Sequence, residues 1–527
     1  MATTLRQVSQ HALTRIEDQF TRVFGKGCNP FFHLGALTIY FFWIVLISGI
    51  YLFAFFETSV FGAFQSVERL THDQWWLGGV MRSLHRYASD AAVVTMMLHL
   101  IREFVRDRYR GVRWYSWFTG VPLLWMVFLL GITGYWLVWD MLAQYIALLS
   151  AEYMDWLPIF TDPIARNFIS QEALSDRFFT LMGFLHLIGI PLFLVFGIWF
   201  HVMRIAMPNI NPPRPLMAGT LAALLVLSLV KPAVSHEIAD LAAVPQELSL
   251  DWFYLFIYPV IDLIGVGPVW LLLTVLTFLL MAFPWLPRKK PEPTAKIDLE
   301  HCSGCTWCAN DCPYGALTMR PRSDGRAHKQ EVVIDPDLCV SCGICAGSCP
   351  SATPFRKSED LGTGIEMPQF SFRRLRDETD AALASARGGA RVIVYGCDHA
   401  AEVKRLSEQG IAAVSMPCTG MLPPSLIDYA LRDGRADGVV VTGCCEGDCQ
   451  HRLGNTWMEQ RLTGERPPQL RGRVDRDRLR VHWASVTDLA GLTQEIESFG
   501  EALGSLGKTS AGAADGAPAQ QGEEART

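Results

Sequence analysis

Two histidines inside an apolar run restrict what this chain can fold into more than any other feature. His85 and His99 lie fourteen residues apart in the mostly apolar stretch 78–104. A helix turns 100° per residue, so fourteen steps return to within about 40° of the start, roughly 21 Å further along the axis. Both imidazoles then leave one face of one helix, at two depths of a membrane. The apolar stretch 178–204 repeats the device with His186 and His201, fifteen apart. Histidine inside a span is rare and functional by default. Two such helices can hold two flat macrocycles by bis-imidazole ligation, one near each membrane face. Incidental polar residues of a bundle have no reason to repeat this spacing.

At 527 residues the chain exceeds one ordinary core. Its first 290 residues are apolar and tryptophan-rich, and the remainder is charged and glycine-rich. A net charge of −6 argues against a nucleic-acid partner. No cleavable signal peptide is expected, because residues 1–30 carry charges and no apolar core. Residues 7–24 are amphipathic (Val8, Leu13, Ile16, Phe20, Val23, Phe24), as in a helix lying on a membrane or packed on the protein. Six spans are expected, at about 33–56, 78–104, 116–138, 178–204, 216–235 and 266–286.

Arg102, Arg106, Arg108, Arg110 and Arg113 fill the loop between spans two and three, and Arg204, Arg214, Arg288, Lys289 and Lys290 share its side. The opposite loops hold Arg69, Arg166 and Arg177, with the acids Glu237, Asp240, Glu247 and Asp251. Basic loops stay in the cytoplasm. Both termini and the cysteine-rich half are therefore expected on the cytoplasmic side of a bacterial inner membrane. His85 and His186 then fall at outer helix ends, and His99 and His201 at inner ends. Spans one and three add Gly35 and Gly49, then Gly120 and Gly134, each pair again fourteen apart. A missing Cβ would let a macrocycle edge lie against the helix.

These residues resemble cytochrome b of the bc and bf complexes, closest to the bf form fused to its small subunit. The likeness rests on Arg82-Ser83-Leu84-His85-Arg86, Met97-Leu98-His99, Thr119-Gly120-Val121, the run from Gly131 to Asp140, and the His186–His201 interval. It implies two haems b, with His85 paired to His186 and His99 to His201, and Arg82 and Arg86 near outer propionates. Where the bf family has a cysteine that tethers an extra haem, His33 stands here, so no covalent haem is expected. The family's Pro-Glu-Trp-Tyr motif takes a proton from quinol; here the run reads Leu250-Asp251-Trp252-Phe253-Tyr254. Asp251 is either a shortened carboxylate serving quinone or a solvated loop acid.

Thirteen of the 14 cysteines follow residue 300. Cys302, Cys305, Cys308 and Cys312-Pro313 are repeated as Cys339, Cys342, Cys345 and Cys349-Pro350. This is the pattern of bacterial two-cluster ferredoxins, in which three thiolates of one run and the fourth of the other hold each cubane. One [4Fe–4S] cluster would use Cys302, Cys305, Cys308 and Cys349, the other Cys339, Cys342, Cys345 and Cys312. Zinc knuckles rarely come as two identical runs ending in Cys-Pro. The charged stretch 320–331 reads as an insertion between the halves.

Beyond Gly388, the runs Val392–Tyr395, Ala412–Met416 and Gly438–Thr442 read as buried parallel strands, alternating with helices at 399–409, 423–433 and 451–462. Cysteines follow each strand, where the carboxyl ends of an open α/β sheet line a crevice. The segment resembles the delta subunit of methyl-viologen-reducing hydrogenase. The matching residues are Tyr395-Gly396-Cys397, Pro417-Cys418-Thr419-Gly420 and the run from Gly443 to His451, with Gly454-Asn455. That likeness implies one [2Fe–2S] cluster on Cys397, Cys418, Cys444 and Cys449, with Cys445 spare and Ala400 in place of a further family cysteine.

The expected architecture is multi-domain: an amphipathic segment (1–30), an all-α transmembrane diheme bundle (31–287), a linker (288–296) and an α+β bacterial-type ferredoxin (297–360). An α/β parallel-sheet iron–sulfur domain (388–500) and a disordered tail (504–527) complete it. Electrons would pass between a cytoplasmic flavoprotein or heterodisulfide-reductase-like dehydrogenase and a membrane quinone. Reverse flow from quinol to a low-potential acceptor, and a haem relay without a quinone pocket, are the alternatives. A homodimer is compatible with this scheme. No Gly-x-Gly-x-x-Gly follows a strand, so any nicotinamide or flavin would belong to a partner.

Overall fold

A computed structural model describes residues 2–159, 163–244, 247–286, 292–352, 362–387 and 389–505. Residues 288–291 of the expected linker, including Arg288, Lys289 and Lys290, and the tail from 506 lie outside the described residues, as do 353–361 at the expected end of the ferredoxin. The chain divides into two compact units, Met1–Pro291 and Glu292–Thr527.

The first unit is helical. Among the described residues four stretches are long and apolar enough to cross a membrane: Pro30–Phe55, Gly111–Val138, Asp176–Val202 and Val266–Trp285. The helix Val80–Val105, 26 residues long, carries His85 and His99. Its length suffices to span, but Arg82, Arg86, Asp90 and Arg102 keep it from being uniformly apolar. The expected span 216–235 is shorter, a 17-residue helix Arg214–Val230. Pro232 stands just beyond its end, and the residue before a proline is pushed out of helical conformation. Between the long helices lie Gly62–His72, Met141–Asp155 and Ile257–Ile264, which the apolar-run criterion did not register. The second of these starts sharply: Trp139 turns with a φ of 56°, and the Asp140 carboxylate caps the helix by accepting from Ala143 N at 2.9 Å. Asp140 also accepts from His236 N at 2.9 Å, which fastens the long 231–256 connection to the bundle.

The N-terminal helix, Ala2–Phe24, is packed on the helical unit. Its buried residues are the polar Thr14 and Glu17, whereas Val8 and Val23 are 60% and 76% exposed. Glu17 accepts from Arg102 Nε at 2.7 Å and pairs with Arg106. The helix is therefore pinned by charge and turns its apolar stripe outward.

The second unit starts with β1 (Lys296–Ile297), β2 (Leu317–Pro321), β3 (Gln330–Ile334) and β4 (Ile365–Glu366). β1 pairs antiparallel with β4, and β2 with β3 in register Leu317↔Ile334. The charged stretch 320–331 is thus the arm of a hairpin, closed by Arg320 against a buried Glu331 at 2.6 Å. β5 (Val392–Cys397), β6 (Ala412–Met416), β7 (Gly438–Gly443) and β8 (Leu479–Trp483) form a parallel sheet in the order β6-β5-β7-β8. Alternate residues of β5 pack to opposite faces: Ile393 and Tyr395 with the helix Phe372–Ser385, Val392 and Val394 with Leu489–Ser505. Burial on both faces is why these strands read as unbroken apolar runs. β8 escaped that reading because it lies at the sheet edge, and its Arg480 and His482 interrupt the apolar pattern. One continuous core joins Cys302, Val332 and Ile365 to Phe372, Ile393 and Val439.

Candidate redox centres

The histidine helices differ by one residue in spacing, and the backbone absorbs the difference. Leu185–Gly189, which contains His186, is a π-turn inside the otherwise α-helical stretch Asp176–Val202. A π-turn accommodates one extra residue. Fifteen residues then advance the helix as fourteen do elsewhere, and both histidines keep one face. His85 and His186 approach from their two helices with ring centroids 6.3 Å apart. With metal–imidazole bonds of about 2 Å, two rings sharing one axial metal have centroids about 6 Å apart. The pair fits a bis-imidazole haem.

Each paired glycine meets an imidazole. A Cβ on Gly49 or Gly134 would sit 2.9 Å from Cε1 of His85 or His186. On Gly120 it would be 3.1 Å from His201 Cε1, and on Gly35 3.4 Å from His99 Cε1. The small residues thus make room for the imidazole rings. Three of them follow a hydroxyl residue. The Thr133 hydroxyl donates to Leu129 O at 2.8 Å, leaving a lone pair 3.2 Å from His186 Nδ1. Ser48 does the same between Ile44 O and His85 Nδ1 (3.2 Å), and Thr119 between Tyr115 O and His201 Nδ1 (3.5 Å). His85 Nδ1–H also reaches Val45 O at 3.0 Å. Engaging Nδ1 selects the tautomer that offers Nε2 to a metal. Leu34 occupies the corresponding place beside Gly35, and no hydrogen bond to the His99 ring is found among the described residues.

Asp251 is buried, with its side chain 2% exposed, so the solvated-loop alternative fails. It pairs with Arg86 Nη2 at 2.9 Å and accepts a short hydrogen bond from the Tyr135 hydroxyl. Arg86, expected at propionates, also holds Asp90 at 3.3 Å. Arg82 contacts Glu68, Thr71 and Ser235. The other end of the His85–His99 helix is cationic: Arg102, Arg108 and Arg113 surround Glu103, and Arg102 and Arg106 grip Glu17.

In the second unit, Cys302, Cys305, Cys308 and Cys349 line one small cavity with Met319, Val332 and Ile365. Cys312, Cys339, Cys342 and Cys345 line another with Ile334, Ile344 and Met367. Each draws three sulfurs from one run and the fourth from the other. Four thiols around each cavity are the donor set a four-iron cubane takes. Burial, reinforced by neighbouring thiols, pushes Cys308 up to about 12; burial also pushes Cys342 to about 12. A metal held by these thiols would have to displace their protons.

At the carboxyl ends of the parallel strands four thiols approach one another. Cys397 and Cys444 sulfurs are 4.0 Å apart, and Cys449 is within hydrogen-bond reach of both Cys418 and Cys444. Those two hydrogen bonds hold Cys449 well below the usual thiol range; the contact with Cys449, with burial, raises Cys418, and the contacts with Cys397 and then Cys449, with burial, raise Cys444. Ala400 fills the apolar cluster around Cys397, Cys444 and Cys449. Cys445 lies outside this cluster, half-buried, with its carbonyl accepting from Asn455 Nδ2 at 3.3 Å.

Three family models match in succession: Cytochrome b/b6/petB over residues 21–207, a 4Fe-4S dicluster domain over 301–353, and methyl-viologen-reducing hydrogenase, delta subunit, over 390–507. The chain is a fusion of three redox modules. Among solved structures, a hyperthermophilic respiratory Complex III is similar at 20% identity and a TM-score of 0.40, over 49% of this chain and 75% of that one. The cytochrome b module implies haem b and the dicluster module implies four-iron clusters. With its apolar helices, the chain is a membrane electron-transfer protein of the oxidoreductase type.

Within the cytochrome b module, sequence reasoning missed Asp90, Ser48 and Thr133. An acid within a span is itself a signal, and Asp90 stands five residues after His85. The hydroxyl residues were visible as Ser48-Gly49, Thr119-Gly120 and Thr133-Gly134, three repeats of one dipeptide type.

Proposed function

We propose that the chain is the membrane subunit of a larger complex, carrying electrons between a cytoplasmic flavoprotein or heterodisulfide-reductase-like dehydrogenase and the quinone pool. In this reading His85 and His186 hold one haem b, and His99 and His201 the other. Cys302, Cys305, Cys308 and Cys349 hold one [4Fe–4S] cluster and Cys312, Cys339, Cys342 and Cys345 the second. Cys397, Cys418, Cys444 and Cys449 hold a [2Fe–2S] cluster. These groups supply one-electron carriers between a two-electron donor and quinone.

The chain's own residues supply what the carriers do not. Quinone chemistry moves protons with electrons, and the observation that carries the reading is the buried Asp251 against Arg86 and Tyr135. Asp251 exchanges a proton with the quinone oxygen, Tyr135 orients that carboxylate, and Arg86 holds its charge away from water. The basic loop from Arg102 to Arg113 keeps its side cytoplasmic, and the iron–sulfur modules with it. The same carboxylate favours one second reading, in which quinol is oxidised beside Asp251 and electrons flow inward to a low-potential acceptor.

Redox titration of the haems separates the two directions. Potentials well below the quinone couple are expected for quinone reduction, and potentials near or above it point to the reverse. A quinone analogue should shift the haem spectrum of the full-length protein and lose that effect in Asp251→Asn. A spectrum indifferent to every analogue would end the quinone proposal.

A further inference from the structure

The two cubane cavities are not equivalent with respect to the C-terminal thiols. Cys342 and Ile344, which line the second cavity, are packed in one buried cluster with Cys418 and Trp457. The approach depends on missing side chains. A Cβ on Gly420 would meet Ile344 Cγ1 at 3.1 Å; one on Gly454 would collide with Cys418 Sγ and lie 3.5 Å from Cys449 Sγ and 3.6 Å from Ile344 Cδ1. Ile344 thus spans the gap between the two sets of sulfurs. The first cavity is lined instead by Met319, Val332 and Ile365 from β2, β3 and β4.

A buried ionic clamp fixes this contact. Arg461, fully buried on the helix Gly454–Thr463, donates to Asp311 at 2.5 Å, to Ser348 Oγ at 2.6 Å and to Gly420 O at 2.7 Å. Arg466 donates to the other Asp311 oxygen at 2.6 Å while stacking on Trp457, and Trp457 Nε1 donates to Asp311 O at 3.1 Å. Asp311 immediately precedes Cys312, and Ser348 precedes Cys349. Such a buried charge set breaks at high cost when one partner is removed. It acts as a rigid bolt between modules.

Resting on the cluster assignments proposed above, we infer that the Cys312/Cys339/Cys342/Cys345 site is the one that exchanges electrons directly with the C-terminal thiol site. The Cys302/Cys305/Cys308/Cys349 site lies one transfer further on. Arg461 is the positioning residue of that junction. Electron transfer falls steeply with distance, and a dry contact through one isoleucine is the short path. The step moves one electron from a reduced C-terminal cluster to an oxidised cubane, with no bond made and no proton transferred.

Low-temperature electron paramagnetic resonance on the full-length protein tests this order. Reduction of the neighbouring cubane should speed spin relaxation of the C-terminal signal. Cys339→Ser should abolish that enhancement, and Cys305→Ser should leave it intact. Loss with Cys305→Ser and retention with Cys339→Ser overturns the order. Because a serine ligand can cost a cluster and its fold together, Arg466→Gln provides a second arm. It should shift one cubane's midpoint and, by the same amount, the potential at which the enhancement appears; separate movement of the two overturns the inference. A wild-type protein with no C-terminal cluster signal would overturn the underlying assignment itself, a result distinguishable from a reversed order.

Discussion

The two histidine pairs sit on the same helices yet differ in what surrounds them. His85 and His186 are each backed by a hydroxyl at Nδ1, through Ser48 and Thr133. Beside them lie Arg86, Asp90, Asp251 and Tyr135. Of the other pair, His201 has the longer contact with Thr119, and the neighbourhood is the arginine-rich group around Glu103 and Glu17. One end is built with acids and a phenol that can pass protons; the other is built with cations that hold anionic groups. The lesson is that matched ligand spacing sets where two metals can stand, whereas the neighbours set what each end can do.

Changing helix phase should separate the two histidine pairs most. Deleting Val94 from the regular helix rotates His99 by about 100° relative to His85. We expect loss of one of the two haems, read from the haem-to-protein ratio. Deleting Leu187 from the π-turn should convert it to α-helix and retain both, because fourteen residues then separate the histidines. Equal loss from both deletions would end the π-turn explanation.

Next in size is the proton-handling end. Asp251→Asn should lower quinone-linked turnover by on the order of 10²-fold or more, while both haem spectra persist. Asp90→Asn should have a smaller effect of the same kind. If Asp251→Asn and wild type turn over alike, the acid network is structural only.

The packing prediction is smaller still. Gly49→Val and Gly134→Val should each destabilise the protein by about 1–3 kcal/mol through overpacking against an imidazole and reduce haem content. Gly35→Ala, with 3.4 Å of clearance, should be milder. The measurement is thermal unfolding monitored at the haem band, and indifference at Gly49 and Gly134 would remove their spacer role.

The smallest effect sharpens the distinction between the pairs. A hydrogen bond from Nδ1 raises the basicity of a ligating imidazole, which favours the oxidised metal. Thr133→Val should therefore raise the midpoint of the His85–His186 haem, and Leu34→Ser, adding a hydroxyl beside His99, should lower that of the other. Spectropotentiometry reads both; shifts of opposite sign to these would refute the hydroxyl argument.

Much was already legible in the residues themselves: the histidines and their intervals, the two cysteine runs, and three parallel strands with thiols at their ends. These signals are local, because helix period, strand alternation and ligand spacing are properties of short segments. The role of the glycines was only half legible. Their interval was visible, but that each meets an imidazole depends on how two helices pack.

Asp251 marks the limit clearly. In the sequence it was one acid in an acidic loop. Only tertiary folding buries it beside Arg86 and Tyr135, which lie 165 and 116 residues away in the chain. Likewise, the cysteine spacing implied which sulfurs share a cavity, but not which cavity faces Cys418. Ile344, Trp457 and the Arg461–Asp311 bolt decided that. Sequence by itself determined the candidate donor sets, because residue type and short spacing are properties of local segments. Tertiary structure decided proton partners and cluster neighbours, because burial and contact are properties of the whole packed chain.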